Sequence, residues 1–73
     1  MPTLNGKDAV KVLLRANFFI HHQKGSHVHL RHKTKTGLRV TIPCHAHFDL
    51  PPSVIKSILK QSELSLGDFL KIL

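Results

Sequence analysis

One histidine of this sequence follows a tight glycine turn and lies among basic residues. The segment reads Lys24-Gly25-Ser26-His27, and Arg31 comes four residues after the histidine. An imidazole with an ordinary pKa of about 6.5 can accept or donate a proton at neutral pH. Cationic side chains can stabilise a negatively charged transition state without a metal ion. These residue types suit acid–base cleavage of a phosphodiester, although from position alone His27 is better interpreted as an exposed strand histidine with no chemical task.

A second group of reactive side chains follows the last predicted strand, in Cys44-His45-Ala46-His47. Thiolate and imidazole are preferred zinc ligands, but a structural zinc site needs about four of them, commonly as two spaced pairs. The second pair would have to come from elsewhere in the chain, so we predict no metal. Cys44 is not expected to be a nucleophile, because only nearby cations could activate it. His45 is a candidate second proton carrier, or else a loop histidine that packs or contacts solvent.

The charge balance indicates a polyanionic partner. Eleven Lys and Arg residues stand against four Asp and Glu, which gives a formal net charge of +7. This excess favours nucleic acid, an acidic protein or a membrane surface as partner. The short apolar runs exclude a membrane span, and only the short C-terminal segment is strongly amphipathic without being notably basic, so no membrane partner is expected. With four Phe and no Trp or Tyr, contacts to a nucleic-acid backbone are expected rather than base stacking. One cysteine and no signal sequence predict a cytoplasmic protein.

Three short strands are expected to position His27. We predict them over residues 18–23, 27–32 and 38–42, joined by a turn at Gly25 and a polar loop over 33–37. The last two strands alternate between apolar and polar residues, which predicts one buried side and one solvent-facing side of a sheet. The solvent-facing side would carry His27, His29, Arg31, Arg39 and Thr41.

Helices are predicted on both sides of these strands in the sequence. Asn5 is a good N-cap for a helix over residues 6–16. Its apolar stripe would be Val10, Leu13 and Leu14. We predict that this helix ends in a left-handed conformation at Asn17. A second helix would begin at Pro52 and Ser53.

A last helix is predicted from the capping box of Ser65 with Asp68. Its apolar stripe would be Leu66, Phe69, Leu70 and Leu73.

The expected architecture is therefore α+β, in a single domain over residues 1–73. The order is helix, three-stranded antiparallel sheet, helix and short C-terminal helix, with the helices on one face of the sheet.

The residues around His27 resemble those of a known family. Phe18 through His27 is similar to the start of HicA toxins, also called the YcfA-like family. The likeness continues through Arg31-His32, Arg39-Val40-Thr41-Ile42-Pro43, His45, Ser57-Ile58-Leu59-Lys60-Gln61, Leu64-Ser65-Leu66 and Phe69-Leu70. It covers nearly the whole chain in order, and the Lys-Gly-Ser-His and Ile-Leu-Lys-Gln blocks form a fairly specific pair. The chain departs from the family at Asn17, where Gly is common, and over 49–52, where a Lys-Pro-Gly stretch is frequent.

The resemblance implies a fold like the double-stranded RNA-binding domain and a function as the toxin of a type II toxin–antitoxin system. HicA toxins are mRNA interferases, endoribonucleases that need no cofactor, and a HicB antitoxin neutralises them. Their catalytic histidine follows Gly-Ser or Gly-Gly at the start of the second strand, which corresponds to His27. Candidate supporting residues are Lys24, Arg39 and His45. Candidate RNA-binding residues are Lys7, Lys11, Ser26, His29, Arg31, Lys56 and Lys60.

Other interpretations stay open at this point. A double-stranded-RNA-binding module without cleavage would have the same fold and charge, and only Gly25-Ser26-His27 favours the enzyme over it. The last two helices could form a DNA-reading helix-turn-helix, but Lys71 is the only cation of the second one, which leaves little to read base edges. The basic residues on the helices could equally be a solvated surface. An antitoxin partner would have to cover the side of the sheet that carries His27.

Overall fold

The computed structural model describes residues 4–44 and 49–73, and the structural statements below refer to these residues. The elements are α1 (Gly6–Arg15), β1 (Phe18–Lys24), β2 (His27–His32), β3 (Arg39–Pro43), α2 (Pro52–Ser62) and α3 (Leu66–Ile72). The predicted α+β architecture and element order are confirmed, with boundaries within about one residue. No helix in this part of the chain has the length and apolar character needed to cross a membrane.

A capping box begins α1. The Asn5 side chain accepts a hydrogen bond from the Asp8 backbone N–H at 2.9 Å, and the Asp8 carboxylate accepts one from the Asn5 N–H at 3.4 Å. Each bond satisfies an N–H that the first helical turn leaves without a partner. After the helix, Asn17 adopts the predicted left-handed conformation, with φ of 73°.

The buried side of α1 differs from the predicted stripe. Ala9, Val12 and Leu13 are fully buried, whereas Leu14 is 43% exposed. The prediction was wrong for Leu14 because it assigned the buried side of the helix from the larger apolar side chains alone. Ala9 is small, and the helix turns this side toward the sheet.

The three strands form an antiparallel sheet in the order β1-β2-β3, so β2 is central. Apolar side chains on one side of the sheet pack against the helices, and these are Val28, Leu30, Val40 and Ile42. The outer edge of β3 is partly closed, because the Thr41 N–H donates to the Gln61 side-chain oxygen of α2 at 3.2 Å. Pairing through an exposed strand edge is thereby hindered on this side.

A bulge interrupts β1. Ile20 pairs with Leu30 and His22 pairs with His29, so His21 is an extra residue in the ladder. Because strand side chains alternate between the two sides, one extra residue reverses the alternation. Phe18 is consequently buried in the core, while His22 lies on the other side of the sheet. The sequence analysis treated this strand as regular and did not anticipate the bulge.

The last two helices complete the core. Ile55 and Ile58 of α2 are buried, and α3 begins with the predicted Ser65 cap, whose oxygen accepts from the Asp68 N–H at 3.1 Å. Only Phe69 of the predicted α3 stripe is buried. The other three members are 36–46% exposed, namely Leu66, Leu70 and Leu73. The prediction overestimated how many residues of the stripe are buried. Helix α3 has only seven residues, and its contacts with the rest of the fold are mainly with α1.

Candidate functional site

The side of the sheet away from the helices carries three cross-strand rows of side chains, and we call it the cationic face. Row 1 is Lys24, His27 and Pro43, row 2 is His22, His29 and Thr41, and row 3 is Phe19, Arg31 and Arg39. Directly paired residues have Cβ atoms about 4.5–5.5 Å apart. Successive rows are about 6.6 Å apart along β2, which is two residue rises.

Row 1 contains the histidine of the Gly-Ser-His motif. Gly25 has a φ of 59°, which lets the chain turn in two residues and sets Lys24 directly opposite His27. The Ser26 carbonyl oxygen accepts a hydrogen bond from the Cys44 N–H at 2.6 Å. This bond ties the turn to the end of β3. His27 is exposed at the start of the central strand.

Row 2 holds a second imidazole in a defined orientation. The His29 Nδ1 lies 3.1 Å from the Thr41 hydroxyl oxygen. The His29 ring stacks on the His22 ring, with 4.3 Å between centroids and 13° between planes. Partial burial lowers the pKa of His29, and the nearby positive charges of His22, His27 and Lys24 lower it further. His29 is therefore biased toward the neutral, hydrogen-bonded form in the free protein.

Row 3 brings like charges together. Arg31 and Arg39 are direct partners across β2 and β3. The structure describes all four Asp and Glu residues of the chain, and none lies in a strand. Phe19, on the same side as the two arginines, is 38% exposed. A depression of about 150 Å³ lies between rows 2 and 3, lined by His22, His29, Leu30, Arg31, Arg39, Val40 and Thr41.

Most of the chain, including the three strands, matches a known protein family. The sequence profile of the HicA toxin of bacterial toxin–antitoxin systems matches residues 6–64. The chain belongs to the HicA toxin family. The matched segment includes all three strands and therefore all three rows. A search of curated proteins gave no match to the chain.

Membership of the HicA family makes this chain the toxin component of a toxin–antitoxin system, and it implies a HicB-like antitoxin as partner. The element order is compatible with the fold like the double-stranded RNA-binding domain that the resemblance implied.

The structure of the HicA toxin brings some of the candidate residues together and separates others. Lys24, His27, His29, Arg31 and Arg39 share the cationic face, and Ser26 belongs to the adjoining turn. The four candidate lysines lie in the helical layer on the other side of the sheet, on α1 and α2: Lys7, Lys11, Lys56 and Lys60. The candidate His45 lies outside the described residues.

Two members of the face were missed by the sequence analysis. His22 was interpreted as a surface residue, and Phe19 was given no role. Their places depend on the bulge at His21, and the run Phe-Phe-Ile-His-His-Gln contains no alternation that reveals it. The only available signal was the failure of this run to alternate as the next two strands do.

The surroundings of Cys44 do not favour the thiolate that a nucleophile requires. Partial burial raises its pKa, and the charge of Lys7 offsets this only in part. Within residues 4–44 and 49–73, no group of three or more His, Cys, Asp or Glu side chains is arranged to hold a metal ion. The other residues of the Cys44–His47 motif lie outside this part of the chain.

Proposed function

We propose that this HicA toxin is an mRNA interferase, a metal-independent endoribonuclease that cleaves RNA with His27 as its central catalytic residue. One observation carries the proposal. His27 begins the central strand directly opposite Lys24, on a face whose charged side chains are all cationic. Such a face attracts a polyanion, and it has at its edge an imidazole that can transfer protons.

The chemistry uses the nucleophile that RNA carries. The 2′-oxygen attacks the neighbouring phosphorus as its proton leaves, and the bond from phosphorus to the 5′-oxygen breaks. The products are a 2′,3′-cyclic phosphate and a 5′-hydroxyl. His27 acts as general base for the 2′-hydroxyl or as general acid for the 5′-oxygen. Lys24, its cross-strand neighbour, stabilises the additional negative charge of the phosphorane.

The other proton carrier is a second group on or near this face. His29 is about 6.6 Å further along β2, and its orientation is defined by Thr41 and His22. His45, which follows β3 within two residues, stays a second candidate. Arg39 is four residue positions from the His27 row, so it is better suited to bind RNA than to stabilise the phosphorane at His27.

The expected partners follow from the same charge. We propose that mRNA lies across the cationic face, with Ser26, His29 and Arg31 among its contacts. Lys7, Lys11, Lys56 and Lys60 would contact only an RNA that reaches around the edge of the sheet. A HicB-like antitoxin that covers His27 would block the same face, and complementary charge would speed its association. Both partners are expected in the cytoplasm.

The test compares RNA cleavage in EDTA by the parent protein, His27→Ala and the control Lys71→Ala, with circular dichroism to show that all three fold. Loss of a general acid or base typically reduces the rate about 10²- to 10⁴-fold. We expect that loss for His27→Ala only, since Lys71 lies on α3 in the helical layer, away from the three rows. Cleavage by His27→Ala at the parent rate would refute the assignment.

The same assay addresses the alternative function. If the parent protein and His27→Ala both bind RNA but neither cleaves it, the chain is a non-catalytic double-stranded-RNA-binding module of this fold.

A further inference from the structure

We propose that row 3 is a binding subsite for an unpaired nucleotide, in which Phe19 stacks on the nucleobase while Arg31 and Arg39 hold a phosphate. The inference rests on the proposed function in taking RNA as the ligand. It adds a preference for single-stranded over paired RNA, and it gives Phe19 a role.

The arginine pair indicates an anion. Like charges directly opposite each other in an antiparallel sheet are destabilising. None of the acidic residues lies in the sheet to compensate for Arg31 and Arg39. A phosphate bound between the two guanidinium groups would relieve the repulsion with charge-assisted hydrogen bonds, and guanidinium geometry suits phosphate oxygens.

The depression beside the pair has the size and lining for such a group. Its volume of about 150 Å³ is below the roughly 300–1,000 Å³ of pockets that enclose a whole small ligand. It therefore has room for a single group such as a phosphate rather than for a whole small ligand. Thr41, His29 and His22 also line the depression. Their hydroxyl and imidazole groups can donate hydrogen bonds to phosphate oxygens.

Phe19 supplies a surface for a base. The bulge at His21 sets this ring on the same side as Arg31, its cross-strand partner, where it is 38% exposed. Every nucleobase has a π-face, so stacking on an aromatic side chain does not require a particular sequence. A base can reach the ring only when it is not paired, because the faces of paired bases are covered by their neighbours in the duplex.

The subsite is separate from the point of cleavage. Arg31 lies four residues from His27 on the same strand, which is about 13 Å. The phosphate on Arg31 and Arg39 is therefore not the one cut beside His27, but one further along the same RNA strand. An RNA bound at row 3 would be aligned along β2 with its cleavage point at row 1.

The first experiment measures the binding of a fluorescent single strand of about ten nucleotides, a length within the usual range of single-strand sites. Every ribose carries a 2′-O-methyl group, so the probe has no nucleophile and cannot be cleaved. The same strand annealed to its complement is the second probe. The variants are Phe19→Ala, Phe19→Leu and the control Ile20→Ala. Ile20 is 45% exposed, and it lies on the opposite side of the same strand.

Phe19→Ala and Phe19→Leu should each weaken single-strand binding about 5- to 150-fold, the range for loss of one base–aromatic stack. Duplex binding by these variants should stay within about twofold of the parent, because paired bases do not use this ring. Ile20→Ala should bind both probes like the parent. Parent-like binding of the single strand by both Phe19 variants, or equal losses on the two probes, would overturn the inference.

The second experiment tests the phosphate. Arg31→Ala and Arg39→Ala should each reduce the magnitude of the slope of log affinity against log salt by about 0.7 for the single strand, the value for one lost phosphate contact. Lys71→Ala, a charge change on α3 in the helical layer, should leave the slope unchanged. Equal slopes for the parent and both arginine variants would overturn the phosphate contact. Intact RNA binding combined with loss of antitoxin binding would assign row 3 to the antitoxin instead.

These binding assays are independent of cleavage. If the parent protein does not cleave RNA but Phe19→Ala loses single-strand binding, the subsite stands and the ribonuclease proposal fails. If His27→Ala abolishes cleavage while the Phe19 variants bind normally, the ribonuclease proposal stands and the subsite fails.

Discussion

Gly6 lies where the start of α1 packs against the end of β3, and substituting it by alanine tests how tightly the two are packed. A Cβ atom at Gly6 would lie 2.5 Å from the Pro43 carbonyl oxygen, 2.7 Å from the Cys44 Cα and 2.8 Å from the Cys44 Sγ. Two of these are backbone atoms, so rotation of a side chain cannot relieve the contacts. Either α1 or the end of β3 must move.

The expected magnitude comes from two opposing effects. Alanine is a better helix former than glycine by at most about 1 kcal/mol. Forcing an extra carbon into a well-packed region costs about 1–3 kcal/mol, and contacts this short favour the upper end. We expect Gly6→Ala to lower the free energy of unfolding by about 1–2 kcal/mol. The total for a chain of this size is on the order of 4–11 kcal/mol.

Urea unfolding followed by circular dichroism is the appropriate assay, because the chain has no Trp or Tyr to report by fluorescence. With a slope of about 1 kcal/mol per molar urea, the midpoint should fall by about 1–2 M. Gly67→Ala is the matched control. Its Cβ would meet only the Ser65 hydroxyl at 3.9 Å, so we expect a gain of about 0.5–1 kcal/mol.

The same substitution should also alter the geometry of the proposed catalytic site. Cys44 donates its N–H to the Ser26 carbonyl, so a displaced Cys44 disturbs the turn before His27. RNA cleavage by Gly6→Ala, measured without urea at a temperature at which the variant is folded, should therefore be slower than cleavage by the parent protein. A Gly6→Ala protein at least as stable as the parent would refute the packing argument, whatever its activity.

Two further predictions concern row 2. Because the pKa of His29 is lowered in the folded protein, the unfolded chain binds its proton more readily. Stability should therefore decrease as the pH falls below about 6.5, and the urea midpoint of His29→Gln should drop less between pH 7.5 and 5.5 than that of the parent. Thr41→Val removes the hydroxyl group beside His29 Nδ1. ¹⁵N NMR should therefore show a changed tautomer balance for His29 and an unchanged one for His27. Identical His29 spectra in the parent and the variant would contradict the hydrogen bond between Thr41 and His29.

Much of the fold could be predicted because its signals are local. Asn5 and Ser65 each have an oxygen suited to cap a helix, and Gly25 permits the two-residue turn between β1 and β2. β2 and β3 alternate regularly, so His27, His29 and Arg31 were correctly expected on one side of the sheet. The predicted site therefore depended mainly on the central strand, whose pattern is unambiguous.

The remaining features depend on partners distant in sequence. Nothing near Thr41 indicates that its N–H is bound by Gln61, twenty residues later. The apolar period of α3 correctly predicted a helix, but it could not show that only Phe69 would be covered. Leu14 was misplaced for the same reason, since periodicity identifies an apolar side without telling which part of it faces the sheet.

The bulge at His21 makes the length of β1 more important than the identity of the bulged residue. Phe18, His22 and Lys24 are all even-numbered, so an unbroken strand would point them to the same side. With His21 inserted, Phe18 enters the core while the other two reach the cationic face. Deleting this one exposed residue would force the chain either to expel Phe18 from the core or to bury Lys24. Short insertions and deletions are usually tolerated best in loops. Here, however, a single-residue change in an edge strand would decide whether the core and the cationic face can form in the same protein.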